Sequence, residues 1–386
     1  MLQLRNLLGF VGSLSLLLLA QHTYIFLRLR HYLSLSGRGR WVLFSALALL
    51  YAVTLAGFPA MRSFSPEWAA PVMWVAFTWM GVSFLLSLAL VAADLVWIFQ
   101  RFISQLSAHR QILQRVLGVV VLGVTLLLSC YSVYNALRPV PVKPVVLTLE
   151  RLPQGLDGLK IVQITDLHIA PVTEKGWLAG IVEQVNALNP DLIAITGDLV
   201  DGSVENLKAE VDALAKLKAP HGVYFVTGNH EYSSGVDPWV AYIASLGIRV
   251  LRNERVTITG AQGDTLDLAG VDDWGARRFS GEGADLSKAL AGRDPDQPVI
   301  LLAHQAAAVK EAAAQGVDLQ ISGHTHGGQI WPFSYLVYLQ QPYVSGLHRY
   351  PDSATQVYIS EGTGYWGPPM RLGTSAEITQ ITLKRP

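Results

Sequence analysis

At 386 residues the chain is long enough for two domains, and a composition 51% hydrophobic and 15% charged is more apolar than that of an ordinary soluble enzyme. Lys plus Arg and Asp plus Glu balance at 29 each, a net charge of zero that argues against a broad basic face for nucleic acid. The single cysteine, Cys130, excludes an intrachain disulfide and argues against thiolate ligation or cysteine catalysis, so any metal must be held by His, Asp, Glu or Asn.

The apolar surplus sits in the first 137 residues, which are nearly free of acidic groups. Four stretches, Leu7–Leu27, Trp41–Met61, Val72–Phe99 and Val116–Leu137, approach or exceed the roughly 20 residues a helix needs to cross about 30 Å of hydrocarbon. They predict four transmembrane helices. A cleaved signal peptide fits the first stretch poorly, because no small-residue cleavage site precedes Arg28. Arg28, Arg30, Arg38 and Arg40 follow the first span, and Arg101, Arg110 and Arg115 follow the third, whereas the loop between holds only Arg62. The positive-inside rule makes both Arg-rich loops cytoplasmic and places everything after Leu137 outside the cytoplasm; Arg5, Arg138 and Lys143 weaken the bias without reversing it. Asp94, about two turns before Arg101, is expected at the cytoplasmic interface.

Prolines at 139, 141 and 144 interrupt helix and central strand alike, so residues 138–144 read as an extended linker between a helical anchor, 1–137, and a second domain, 145–386. In that domain apolar runs of strand length alternate with helical patterns. Strands are expected at Leu159–Thr165, Leu192–Thr196, Val223–Thr227, Leu266–Ala269, Val299–Ala303, Leu319–Ser322, Val357–Ser360 and Ile378–Leu383. Helices are expected at Trp177–Leu188, Val204–Leu217, Pro238–Leu246 and Gln305–Gln315. The order predicts an α/β domain with buried sheets covered by helices.

Polar residues cluster where those strands end. Asp166 and His168 follow the first, Gly197-Asp198 the second, Gly228-Asn229-His230-Glu231 the third, His304 the fifth, and Gly323-His324-Thr325-His326 the sixth. Loops beyond the carboxyl ends of strands are where α/β sheets gather ligands. Asp166 with His168, and His324 with His326, are two apart, and on an extended segment that spacing puts both side chains on one side.

These five blocks, in this order and with no motif residue substituted, resemble the signature of the calcineurin-like metallophosphoesterase family. Gly323-His-Thr-His-Gly-Gly-Gln-Ile330 and the tail Glu361–Gly373 look like its bacterial YkuE/YaeI-type phosphodiesterase branch. The resemblance implies a two-sheet αββα sandwich following the transmembrane helices. It also implies one divalent ion held by Asp166, His168, Asp198 and His326, and a second by Asp198, Asn229, His304 and His324, with Asp198 shared. A hydroxide bridging the ions would attack phosphorus, and His230 would donate a proton to the leaving oxygen or stabilise phosphoryl charge. Mixed imidazole and oxygen donors suit Mn, Zn, Fe or Co better than Mg or Ca. Glu231 is expected to support the site from behind, and Arg371 to form a structural ion pair rather than meet a substrate phosphate.

The expected activity is phosphodiester hydrolysis by an integral membrane protein of the cell or inner membrane. Its partners would be the bilayer and a phosphoester substrate, lipid-linked phosphoesters included, with no nucleic acid. The alternatives are hydrolysis of a pyrophosphate in a nucleotide-linked lipid precursor, or a non-catalytic membrane scaffold or sensor; intact ligand positions and His230 count against the last. Trp331–Leu339, apolar and aromatic, reads either as domain core or as a lip meeting acyl chains or the bilayer. His22, His31, His109, His221 and His348 match no block and are expected at interfaces, loops or surface.

Overall fold

The computed structural model describes residues 2–63, 65–102, 109–277 and 283–386. The chain divides into two compact units, residues 1–137 with 367–372, and residues 138–366 with 373–386.

The first unit consists of α1 (Leu2–Tyr32), α2 (Gly37–Ser63), α3 (Pro66–Phe99) and α4 (Arg110–Leu137). Pro66 opens α3 behind Ser65, where its fixed φ suits the first turn and its missing N–H costs nothing. Among the described residues, three helices are long and apolar enough to cross a membrane: Gly37–Met61, Glu67–Phe99 and Arg110–Leu137, with mean hydropathy 2.0, 2.3 and 2.3. α1 runs through the first expected span, but the side chains of residues 7–11, and those of Arg5, Arg62 and Arg101, lie outside the described residues. Ile25, Leu29 and Tyr32 of α1 pack with Leu47 of α2, Leu86 and Leu90 of α3 and Val121 of α4.

Asp94 is paired with Arg28 on α1. It accepts hydrogen bonds from Arg28 Nε (2.7 Å) and Nη2, Tyr24 Oη (2.8 Å) and Tyr32 Oη (2.6 Å). Residues 24, 28 and 32 share one face of α1 because they are one helical turn apart. His22, expected at a surface or interface, is buried: Trp79 Nε1 donates to its Nε2 (2.9 Å), and its Nδ1 lies 2.7 Å from Leu18 O. Arg371 is fully buried in this unit; its N–H donates to Ser132 O (2.9 Å) and Asn135 Nδ2 donates to its carbonyl (3.1 Å).

The second unit contains β1 (Val142–Thr148), β2 (Lys160–Ile164), α5 (Trp177–Ala187), β3 (Leu192–Thr196), α6 (Val204–Val211), β4 (Val223–Val226), α7 (Asn229–Ser234) and α8 (Val236–Ser245). There follow β5 (Arg249–Val250), β6 (Glu254–Thr259), β7 (Thr265–Gly270), α9 (Leu286–Ala289), β8 (Val299–Leu302), α10 (Val309–Ala314), β9 (Leu319–Ser322), α11 (Ser334–Val337), β10 (Gly346–Arg349), β11 (Gln356–Ile359) and β12 (Ile378–Lys384). The proline-rich stretch is extended, but Val142, Lys143 and Pro144 already belong to β1 rather than to a free linker.

Two six-stranded sheets result, ordered β1-β12-β2-β3-β4-β5 and β10-β11-β9-β8-β7-β6. β2 to β5 run parallel to one another, as do β7, β8, β9 and β11. Alternation along each strand builds the layers. Ile161, Leu192, Ala194 and Val226 of the first sheet face Ile300, Leu302, Leu319 and Ile321 of the second in one core. Val162, Ile164, Ile193, Ile195 and Phe225 point the other way, onto Leu178, Ile181 and Val185 of α5, Leu207 of α6 and Trp239 of α8. Ala269, Val299 and Leu301 likewise meet Leu286 of α9 and Ala312 of α10. This is the expected αββα sandwich, each fully buried aliphatic side chain contributing about 1.5–3 kcal/mol.

Candidate metal centre

Topology brings the five strand ends together. β2, β3 and β4 are adjacent and parallel in one sheet, β8 and β9 in the other, so their carboxyl ends share one edge of the sandwich. Backbone bonds prolong the pairing beyond the strands: Asp166 N–H donates to Gly197 O (3.0 Å), His168 N–H to Asp198 O (3.1 Å) and Gly323 N–H to His304 O (3.0 Å).

At these positions the backbone leaves the extended region. Asp166, His168, Asp198, His324 and His326 have φ of 53°, 47°, 50°, 74° and 50°, left-handed values that cost a non-glycine residue on the order of 1–3 kcal/mol each. Strand alternation therefore does not align Asp166 with His168 or His324 with His326. Left-handed turns do, held by the bonds just described. At Gly323 a Cβ would stand 2.2 Å from Asp166 Oδ2, so only glycine lets the last histidine loop close over that carboxylate.

Potential donor atoms converge in three overlapping groups, each within 4.8 Å: Asp166, His168 and His326; His168, Asp198 and His230; and Asp198, His304 and His324. His168 Nε2 and His326 Nε2 face each other at 3.0 Å, and His304 Nε2 and His324 Nδ1 at 3.1 Å. Asp198 Oδ2 lies 3.1 Å from His304 Nε2 and 3.9 Å from both His168 Nε2 and His230 Nε2. Asp166 Oδ1 lies 3.5 Å from His326 Nε2.

Two tautomers are fixed from outside. His168 Nδ1–H donates to Asp201 Oδ2 (3.1 Å) and His304 Nδ1–H to Thr196 O (2.8 Å), which leaves each Nε2 lone pair aimed into the cluster. Asn229 Oδ1, beside the cluster at the end of β4, is buried without a hydrogen-bond partner. Converging imidazole nitrogens, two carboxylates and an unpartnered amide oxygen are the donor set of divalent transition-metal ions, and the site fits them. All seven expected ligand positions thus lie at this one edge.

The sequence profile described as "Calcineurin-like phosphoesterase" matches residues 159–328. A Bos taurus "Transmembrane protein with metallophosphoesterase domain" is 42% identical over 300 residues, 75% of this chain and 67% of that protein. The chain belongs to the calcineurin-like phosphoesterase family. A Danio rerio protein of the same description is 41% identical over 274 residues, 69% of this chain and 62% of the relative, so less than two thirds of that relative's length is spanned. The Bacillus subtilis (strain 168) "Uncharacterized metallophosphoesterase YkuE" is 31% identical over 286 residues, 72% of this chain and 98% of the relative. Together with the three apolar helices, these relatives support a membrane location.

One residue of this calcineurin-like site was not singled out from the sequence. Asp201 accepts from His168 Nδ1 through one oxygen and from His230 Nδ1 through the other. The signal was an acidic residue three positions after Asp198, at the far end of Leu199-Val200. Burial opposes ionisation of Asp201, but His230 and His168 overcome it and hold the carboxyl well below the usual range. Burial likewise opposes charging of His230, yet Asp201 first, and then Asp198, push it up to about 10. His324 is pushed down to about 3, chiefly by burial, which keeps it neutral and able to ligate. Glu231 supports the loops as expected: it accepts N–H bonds from Gly228 (2.6 Å), Leu199 (2.8 Å) and Asp198 (3.0 Å). Trp366 stands edge-on to His230, with ring centroids 5.9 Å apart.

Proposed function

We propose that this chain is a membrane-anchored, metal-dependent phosphoesterase that hydrolyses phosphodiesters, its helical anchor (1–137) carrying a hydrolase domain (145–386) outside the cytoplasm. The observation that carries the reading is the set of imidazole nitrogens converging on one another around Asp198, beside the unpartnered Asn229 Oδ1.

Asp166, His168, Asp198 and His326 would hold one ion, and Asp198, Asn229, His304 and His324 the other. When bound, two divalent ions polarise phosphoryl oxygens, lower the pKa of water and offset transition-state charge. Asp198 suits the shared position because its Oδ2 lies within reach of a nitrogen of each group, 3.9 Å from His168 Nε2 and 3.1 Å from His304 Nε2. His230 supplies the proton to the leaving oxygen: Asp201 grips Nδ1, holds the ring charged and leaves Nε2 directed into the site. Asp201 acts by positioning both His230 and His168, and Glu231 fixes the turns that carry Asp198 and Asn229.

The test uses the full chain, stripped by chelator and reconstituted with Mn, Zn, Fe or Co. Phosphomonoesters, phosphodiesters, nucleotide pyrophosphates and phospholipids are then assayed in parallel. Turnover of diesters restored by metal is expected; a fully metallated chain inert on every class would overturn the reading. Reporter fusions at Lys143 and Pro386 test the side of the membrane. A periplasm-dependent reporter silent at both positions, with a cytoplasm-dependent one active, would reverse the topology.

A further inference from the structure

Between Asp318 and Arg349 the chain has no Asp, Glu, Lys or Arg. The middle of this stretch faces solvent: Trp331, Phe333, Tyr335, Leu336, Tyr338 and Leu339 are 56, 45, 65, 54, 57 and 80% exposed. α11, within it, buries no residue. Of the two readings open from sequence, domain core is therefore overturned. Six large apolar side chains are thus exposed within nine positions of the chain, and clustered exposure of this kind marks interaction surfaces where scattered residues do not.

The patch is built onto the site. Two residues after His326, Gly328 has φ 84°, and a Cβ there would stand 2.4 Å from Ser334 Cα, so the backbone of α11 rests directly on the turn that carries the histidine. Gln329 then links the base of the patch to the site's rim. Its Nε2 donates to Trp366 O (2.8 Å), and its Oε1 accepts from Trp366 N–H (2.9 Å); the same Trp366 stands against His230.

We infer that this aromatic lip is a membrane-docking surface, seated in the headgroup–acyl boundary of the bilayer that the chain's own apolar helices cross. The bilayer is at hand, because three helices of this chain are long and apolar enough to span it. Trp and Tyr with interspersed Leu are the residues that favour that boundary, where an apolar body and a polar tip are both accommodated. None of the charged residue types, which the acyl side of that boundary would exclude, occurs from 319 to 348. On the phosphoesterase reading, the docked lip brings the strand-end site to phosphoesters held at a lipid surface.

The test uses the full chain with its only cysteine removed (Cys130→Ser) and one new cysteine at Leu336→Cys, Leu339→Cys or, as control, the exposed Ala261→Cys, each labelled with bimane. The variants are placed in phosphatidylcholine vesicles with and without lipids brominated near the top of the acyl chain. Quenching at 336 and 339 at least about twofold stronger than at 261 is expected, since docked side chains reach roughly 5–10 Å into the boundary. Quenching at 336 and 339 no stronger than at 261 would overturn the inference. Because both lip positions are exposed, neither substitution threatens the fold, and because the readout needs no turnover, its failure is distinct from failure of the phosphoesterase reading.

Discussion

Two polar clusters in this chain, one half-buried and one buried, are built from similar groups and differ in how their hydrogen bonds close. Around Asp94, in the helical unit, every contact joins a donor to an acceptor: Arg28, Tyr24 and Tyr32 give their hydrogens to one carboxylate, and the charges cancel. Around Asp198, in the α/β unit, nitrogen faces nitrogen and Asn229 Oδ1 faces nothing that donates. A satisfied network holds helices together and calls for no ligand. A buried amide oxygen without a donor is costly unless a ligand completes it, so polarity inside a protein points to function where its hydrogen-bond accounting does not close.

The contrast is broken most sharply by substituting the two aspartates. Asp198→Ala is expected to lose metal and to bring turnover to background. Asp94→Asn should leave metal content unchanged and lower thermal stability only, by about 1–3 kcal/mol, the scale for a buried donor left without its charged acceptor. Elemental analysis and thermal unfolding of both variants decide it, and metal loss in Asp94→Asn would remove the distinction. Next in size, His230→Ala should retain metal yet lose on the order of 10²–10⁴ in turnover. The loss should be smaller on a nitrophenyl ester, whose leaving group needs little protonation, than on an alkyl diester; equal losses would assign His230 to charge stabilisation instead. Among the site substitutions the smallest effect is expected for Asp201→Asn, which removes the charge that orients His168 and His230. About 10–100-fold weaker metal binding or turnover is the usual scale for such a partner. A readout beyond structure is the pH profile: with Asp201 gone, His230 loses the main cause of its rise to about 10, so the limb where activity falls as the acid deprotonates should move to lower pH.

Much of the site was legible because its residues sit in local contexts that announce themselves. β2, β3, β4, β8 and β9 are short apolar runs ending abruptly in glycine, histidine or a carboxylate, so both the strand and its end could be read. What was missed depends on partners far along the chain. β1 begins inside a proline-rich stretch and is a strand because β12 pairs with it at a sheet edge, where Pro144 is tolerated. α7, Asn229–Ser234, lacks apolar periodicity and is set instead by Glu231 capping the turn at Gly228. Asp201 declares itself only when His168 and His230 arrive from two other loops. Arg28 and Asp94 are 66 residues apart, so no local pattern announces their pairing. The left-handed φ values of five site residues carry only a weak local signal: Asp and His are enriched in that region, but no glycine marks the positions.

The central claim is that the open cluster is completed by two cations sharing Asp198, and metal stoichiometry of the active full chain tests it most directly. Elemental analysis of protein purified with turnover intact should return close to two transition-metal ions per chain, with Asn229→Ala retaining more metal than Asp198→Ala because only Asp198 belongs to both groups. A fully active chain that carries one ion or none would contradict the account.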